Sequence, residues 1–161
     1  VTQAWDYPEI MRGSNGSLPN DRRHQIRAYG YWQATPEWMF NAVVTVLSGR
    51  PKNCFSTAPD DPYGYGSNFF YCNGQPTTRG AAGRQPWTFN INLGTEYRPS
   101  WADRKLALTA DIFNVLNQQR TQSWVEASQT ASGAPNLNYK RVLSYSDPRY
   151  VRFGVRYDFD L

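Results

Sequence analysis

Two cysteines, one histidine, three lysines and no apolar run near the roughly 18 residues of a spanning helix each remove a class of protein. Two cysteines are too few for the disulfide frameworks of very small secreted domains. The fold of these 161 residues therefore rests on hydrogen bonds and burial, in a chain the size of one ordinary domain. A single histidine, with no nucleophile elbow, phosphate loop or visibly converging carboxylate pair, offers no catalytic constellation, so neither enzyme activity nor a cofactor is expected. The net charge of +4 comes from fourteen arginines and three lysines scattered without a basic block, so no nucleic-acid partner is expected. Helical membrane insertion is excluded. A membrane is not, because a transmembrane strand needs only about ten residues and alternates without a hydropathy peak. Val1 stands where an initiator Met would, and no basic-then-apolar signal segment follows; the expectation is a processed chain, a cloned piece or a fragment.

What is abundant points one way. Phe, Trp and Tyr make up 16% of the chain against 19% charged residues, with twelve Gly and eleven Pro, and the mean hydropathy is −0.69. A helical bundle favours Ala, Leu, Glu and Lys, and disordered chains are poor in aromatics, so an all-β fold is expected.

Period-two alternation places one set of side chains on each face of a strand, and it recurs in five segments. They run over about 22–34, 37–48, 87–98, 105–116 and 149–161. The third has Trp87, Phe89, Ile91, Leu93, Thr95 and Tyr97 against Thr88, Asn90, Asn92, Gly94, Glu96 and Arg98. The fifth opposes Val151, Phe153, Val155, Tyr157, Phe159 and Leu161 to Tyr150, Arg152, Gly154, Arg156, Asp158 and Asp160. The second is mixed on its odd face and rests on β-branched content. The fourth reads two ways. Leu106, Leu108, Ala110 and Ile112 alternate, while Leu108, Ile112, Val115 and Leu116 also fit helical spacing behind a Ser100/Asp103 capping box. Its neighbours favour a strand that continues an antiparallel meander.

Connections alternate in length. Thr35–Pro36 and 99–104 are short turns, whereas 1–21, 49–86 and 117–148 are long loops, unusual for a compact soluble domain. Alternating short and long links are the pattern of outer-membrane barrels. With the long loops outside, Trp32, Trp38, Tyr97, Tyr157 and Phe159 fall on the apolar face near the short-turn rim, with Trp101 in a turn, as an aromatic girdle would. The competing reading is a sandwich core that is aromatic at one end. Strands of about eleven residues tilted ~40° would span about 28 Å, close to the apolar band of such barrels.

Four stretches resemble one family. They are Leu18-Pro19-Asn20-Asp21-Arg22-Arg23-His24, Ser48-Gly49-Arg50-Pro51, Ala110-Asp111-Ile112-Phe113-Asn114-Val115-Leu116-Asn117, and Pro148 through Phe159. Together they resemble the C-terminal β-barrel segment of TonB-dependent outer-membrane transporters, in particular the Oar-like branch. The resemblance implies a bacterial outer-membrane location and a barrel of about 22 strands with a plugged lumen. It implies import of a bulky, scarce solute. The implied partners are membrane lipid, the remaining strands and plug of the same barrel, the TonB complex through an N-terminal part, and the barrel-assembly machinery. Gly154, Tyr157 and Phe159 match the terminal signal read by that machinery, from which Asp160 and Leu161 depart because the chain ends on Leu161 instead of an aromatic. Five strands cannot close, so the isolated chain is expected to aggregate in water.

Cys54 and Cys72 lie in one long loop, eighteen positions apart, and fit a disulfide of an oxidising compartment. A metal pair is the alternative, but no His or Cys partner is near and no metal is expected. Between them, Asp60, Asp61, Tyr63, Tyr65, Phe69 and Phe70 suit recognition of a sugar or aromatic ligand, and a self-packed loop accounts for the same composition. Two adjacent carboxylates lack the ligand spacing of a calcium loop. On the polar faces, Arg23, Arg27, Tyr29, Tyr31, Asn90, Asn92, Glu96, Arg152, Arg156 and Asp158 would face a lumen, pairing across strands or meeting plug or solute. The reading of another class is a soluble, secreted β-sandwich or lectin-like binding module.

Overall fold

The computed structural model describes residues 8–61 and 63–159; the start of the first loop and the ending Asp160 and Leu161 lie outside the described residues. The chain is all-β. Among the described residues its strands are β1 (Gln25–Gln33), β2 (Trp38–Leu47), β3 (Tyr71–Cys72), β4 (Gln75–Pro76), β5 (Thr88–Tyr97), β6 (Leu106–Phe113), β7 (Thr121–Trp124), β8 (Val142–Tyr145) and β9 (Tyr150–Tyr157). Five of them form one antiparallel sheet in the order β1-β2-β5-β6-β9, a meander in which each strand pairs with the next long one in sequence. β3–β4 and β7–β8 are two-stranded hairpins inside the long loops. The five long strands lie inside the predicted segments and are shorter at their ends.

The chain divides into two compact units, a sheet unit (24–47, 87–120, 146–161) and a loop unit (1–23, 48–86, 121–145). In the sheet unit the register carries the alternation from strand to strand. One row reads Gly30, Ala42, Leu93, Ile112 and Val151, and the next reads Trp32, Phe40, Thr95, Ala110 and Phe153. A one-residue slip in any pair would turn a whole strand's apolar set to the other face, so the pattern specifies the register. This face is not a core. Ile26, Trp32, Phe40, Phe89, Leu93, Ile112, Val151 and Phe153 are between 38% and 79% exposed. A contiguous apolar surface of this kind marks a face built to meet something other than water.

The doubly read segment is a strand, and its backbone explains why. Ser100–Ala102 makes one 3-10 turn, but Asp103 and Arg104 then take φ of 49° and 60°, a left-handed conformation that stops helix growth. Asn114, at φ 51°, cuts Ile112 off from Val115 and Leu116, so the helical spacing never becomes a helical face. β6 instead pairs on both edges, with β5 and with β9. The buried Asn114 is a hub. Its amide N–H donates to Asn92 Oδ1 (3.0 Å), its Nδ2 donates to the carbonyls of Gln118 (3.2 Å) and Asp147 (2.9 Å), and its Oδ1 accepts from Gln118 N (3.0 Å).

The two short links are tied together. Glu37 accepts Ser100 N–H at its carboxylate (2.8 Å) and Arg98 N–H at its carbonyl (2.8 Å), and Arg98 bonds Glu96 (2.5 Å) and Asp158 (3.1 Å). Hydrogen bonds from Ser100, through its side chain first and its backbone second, hold the Glu37 carboxyl below the usual carboxylate range. The outer edges of β1 and β9 have no strand partner among the described residues, so this sheet is open.

Among the described residues, the cluster of buried hydrophobic side chains lies in the loop unit. Ile10, Ala58 and Phe69 form it, with Tyr65 and Tyr71 packed against it.

Candidate functional site

The loop unit is stitched by long-range polar contacts. The Arg84 guanidinium donates to the carbonyls of Asp21 (3.2 Å) and Gly49 (3.0 Å) and pairs with the Asp21 carboxylate. A Cβ on Gly49 would fall 1.5 Å from the Gln85 carbonyl oxygen, so the backbone here approaches closer than any side chain allows. The Glu126 carboxylate accepts Asn53 N (2.8 Å), Asn53 Nδ2 (3.1 Å) and Trp124 Nε1 (3.1 Å), joining residues 73 positions apart. Cys54 and Cys72 are joined by a disulfide with their Cα atoms 5.5 Å apart.

The six candidate binding residues divide. Phe69 and Phe70 are 2% and 4% exposed: they belong to the packed interior of the loop, because only burial there gives this small unit a core, and they are not a contact surface. Tyr65 packs against Phe69. Asp61 is structural. Its carboxylate accepts Tyr65 N (3.0 Å) and Gly66 N (2.9 Å). Desolvation pushes its pKa up, yet the N–H groups of Tyr65, Gly66, Tyr63 and Gly64 together hold it below the usual range. Asp60 pairs with Arg12 at 2.7 Å with both side chains well exposed, and Tyr63 is exposed. The self-packed reading of this loop therefore accounts for four of the six residues.

On the sheet unit's polar face, Arg152 pairs with Asp111 at 2.8 Å across strands, Arg156 with Asp158 at 3.3 Å, and Glu96 with Arg98. Asn92 receives the Asn114 amide, and Asn90 lies opposite Thr45. Arg27, Tyr29 and Tyr31 stand on β1, the two tyrosines 85% and 80% exposed, whereas Arg23 precedes β1 and is not on the strand. Gly94 sits between Asn41 and Asp111, both within 2.5 Å of where a Cβ would be. Gly154 leaves room for Thr109 Oγ1, which a Cβ would meet at 2.6 Å. Trp32, Trp38 and Tyr97 lie at the short-turn ends of their strands, where Trp38 stacks on Tyr97 (4.6 Å) and Phe40 (6.0 Å). Tyr157 meets Phe159 edge-on at 4.9 Å, and Trp101 is exposed in its turn.

Sequence reasoning missed one feature. The loop unit holds a cleft of about 180 Å³ lined by Pro19, Asn20, Arg50, Pro51, Gln85, Gln122, Ser123, Trp124 and Glu126. Arg50 lies in a stretch the sequence singled out, but no local period links it to Trp124. Lys52 Nζ sits 4.2 Å over the Trp124 ring. Among the described residues no group of His, Cys, Asp and Glu has the arrangement of a metal site.

The chain is 30% identical over 199 residues, covering 99% of its length, to a TonB-dependent transporter, Oar, of Myxococcus xanthus. It spans 18% of that relative's length, so it resembles a fragment of such a transporter. No family model matches the chain. No solved structure matches it either.

Proposed function

We propose that this chain is a segment of the wall of a TonB-dependent outer-membrane transporter of the Oar-like kind, which imports a bulky, scarce solute. The apolar face of the sheet meets lipid, the polar face lines the lumen, and the loop unit is extracellular. The observation that carries this reading is the in-register apolar face, exposed on all five strands while the core lies in the loops. A soluble sandwich would bury that face at about 25 cal/mol per Å². The likeness to a transporter over nearly the whole chain supports it independently.

The two open edges then join neighbouring strands of the same barrel, since only closure satisfies edge N–H and C=O groups in hydrocarbon. Trp32, Trp38, Tyr97, Trp101, Tyr157 and Phe159 form the aromatic belt at the short-turn interface. Tyr157 and Phe159 also serve the assembly signal. TonB and the plug act through other parts of the transporter. Its role is passage, not catalysis. The test is refolding, with and without detergent or lipid, of the transporter of which this chain is a segment, since the open sheet needs its neighbouring strands. The expected result is regular β structure only in the amphiphile, with Trp fluorescence quenched by brominated lipid. Cooperative refolding to a soluble monomer in plain buffer would overturn the reading.

A further inference from the structure

We propose that the cleft between Arg50 and Trp124 binds a carboxylated sugar, with the carboxylate on the Arg50 guanidinium and the sugar ring against the Trp124 indole. The inference rests on the transport reading only in treating the ligand as a solute to be taken up.

The charge comes first. Arg50 lines the cleft, and its Nε is buried with no hydrogen-bond acceptor. The Nε is itself covered, so a ligand would meet the guanidinium through the part of Arg50 that lines the cleft, and a second anionic partner there would help offset the cost of the unpaired donor. Arg22 lies close enough that burial first, and the charge of Arg50 second, lower its pKa. Lys52 brings a third cation near the cleft wall. Arg84 is a fourth, and against these stand two anions: Glu126, whose oxygens are committed to Asn53 and to the indole N–H, and Asp21, whose carboxylate is paired with Arg84. The local balance therefore favours an anion, and Glu126 acts as a positioning residue that holds Trp124.

Shape and lining narrow the class. About 180 Å³ is below the roughly 300–1,000 Å³ of drug-sized sites, which suits a single ring. Lys52 covers one face of the Trp124 indole, so a pyranose would set its C–H groups against the other face or the ring edge, while Gln85, Gln122 and Ser123 supply amide and hydroxyl groups for its hydroxyls. A guanidinium fork matches a carboxylate with two parallel hydrogen bonds, which a lysine at this position could not provide.

The experiment is calorimetric titration of the transporter that contains this chain, purified in detergent micelles at low ionic strength, with glucuronate, glucose and inorganic phosphate as probes. Glucuronate is expected to bind at least tenfold more tightly than glucose. Arg50→Gln should weaken glucuronate at least tenfold, and Arg50→Lys should recover only part of that loss. Trp124→Ala should weaken glucuronate and leave phosphate unaffected. Circular dichroism checks each variant's fold, and should Arg50→Gln fail to fold, Arg50→Lys carries the comparison. Equal binding of glucose and glucuronate, retained binding in a folded Arg50 variant, or indifference of glucuronate to Trp124 would each overturn the proposal. So would the absence of glucuronate binding to a well-folded chain. That last result leaves the detergent dependence of folding intact and so separates this failure from failure of the transport reading.

Discussion

Val43 and Val44 are neighbours of one residue type on one strand, and they face opposite ways. Val44 lies in the apolar row between Ala28 and Ile91, while Val43 lies between Tyr29 and Asn92 on the polar face. Six residues separate Val44 from Trp38 at the short-turn end. In the proposed barrel, at about 3.4 Å per residue and a tilt of ~40°, Val44 would sit about 16 Å above the belt, near the middle of the apolar band. An arginine at that depth on a lipid-facing position costs about 2–4 kcal/mol. With about 1.4 kcal/mol per factor of ten, this is a loss of roughly 30- to 1,000-fold in the folding equilibrium constant. Val43→Arg meets water and polar side chains, so its cost should stay near the ~0.5 kcal/mol of an ordinary surface change. Both variants lose the same β-branched side chain, and propensity cancels in the comparison. The assay is urea-induced unfolding from phospholipid vesicles, followed by Trp fluorescence. Equal costs at the two positions would refute the assignment of faces, and a larger cost at Val43 would reverse it.

Replacing Cys54 and Cys72 by alanine opens a cross-link of sequence separation 18. About 3 kcal/mol should be lost from the loop unit, read as faster hydrogen exchange over residues 55–71, with exchange in β2 and β5 unchanged. Gly49→Ala forces a Cβ into the Gln85 carbonyl and should destabilise the loop unit by about 1–3 kcal/mol; an unchanged proteolytic susceptibility of that unit would count against the close approach. The folded pKa of Glu37 lies below its unfolded value, so its stabilisation is complete above the unfolded pKa of about 4.3 and fades as pH falls through the folded one. The stability gap between the native chain and Glu37→Gln should shrink as pH drops below about 4, and a gap independent of pH would contradict the Ser100 contact.

The sheet was readable because its determinants are local. Alternation in 87–98 and 149–161 places each side chain without knowledge of its neighbours, and the register follows once one face must be apolar. The segment at 105–116 carried two periods at once. What decided between them was the left-handed backbone at Asp103, Arg104 and Asn114, which short-range spacing does not encode. Asn and Asp tolerate that conformation, so these residue types offered a faint clue. The loop unit was far less legible. That Phe69 and Phe70 are buried while Tyr63 is exposed follows from contacts with Ile10, Phe55 and Ala58, which no periodicity announces. The Arg50 cleft is assembled from residues around 20, 50, 85 and 124, and nothing in the spacing of those stretches binds them together.

The buried centre formed by Ile10, Ala58 and Phe69 contains no residue of the five-stranded sheet. The loop unit thus carries a centre of its own, separate from the alternation that defines the strands. Residues 48–86 and 121–145 can then be exchanged for other sequences that supply a centre of their own, with the alternating pattern of the strands left as it is. A chimaera that carries foreign loops on these strands inherits the same freedom.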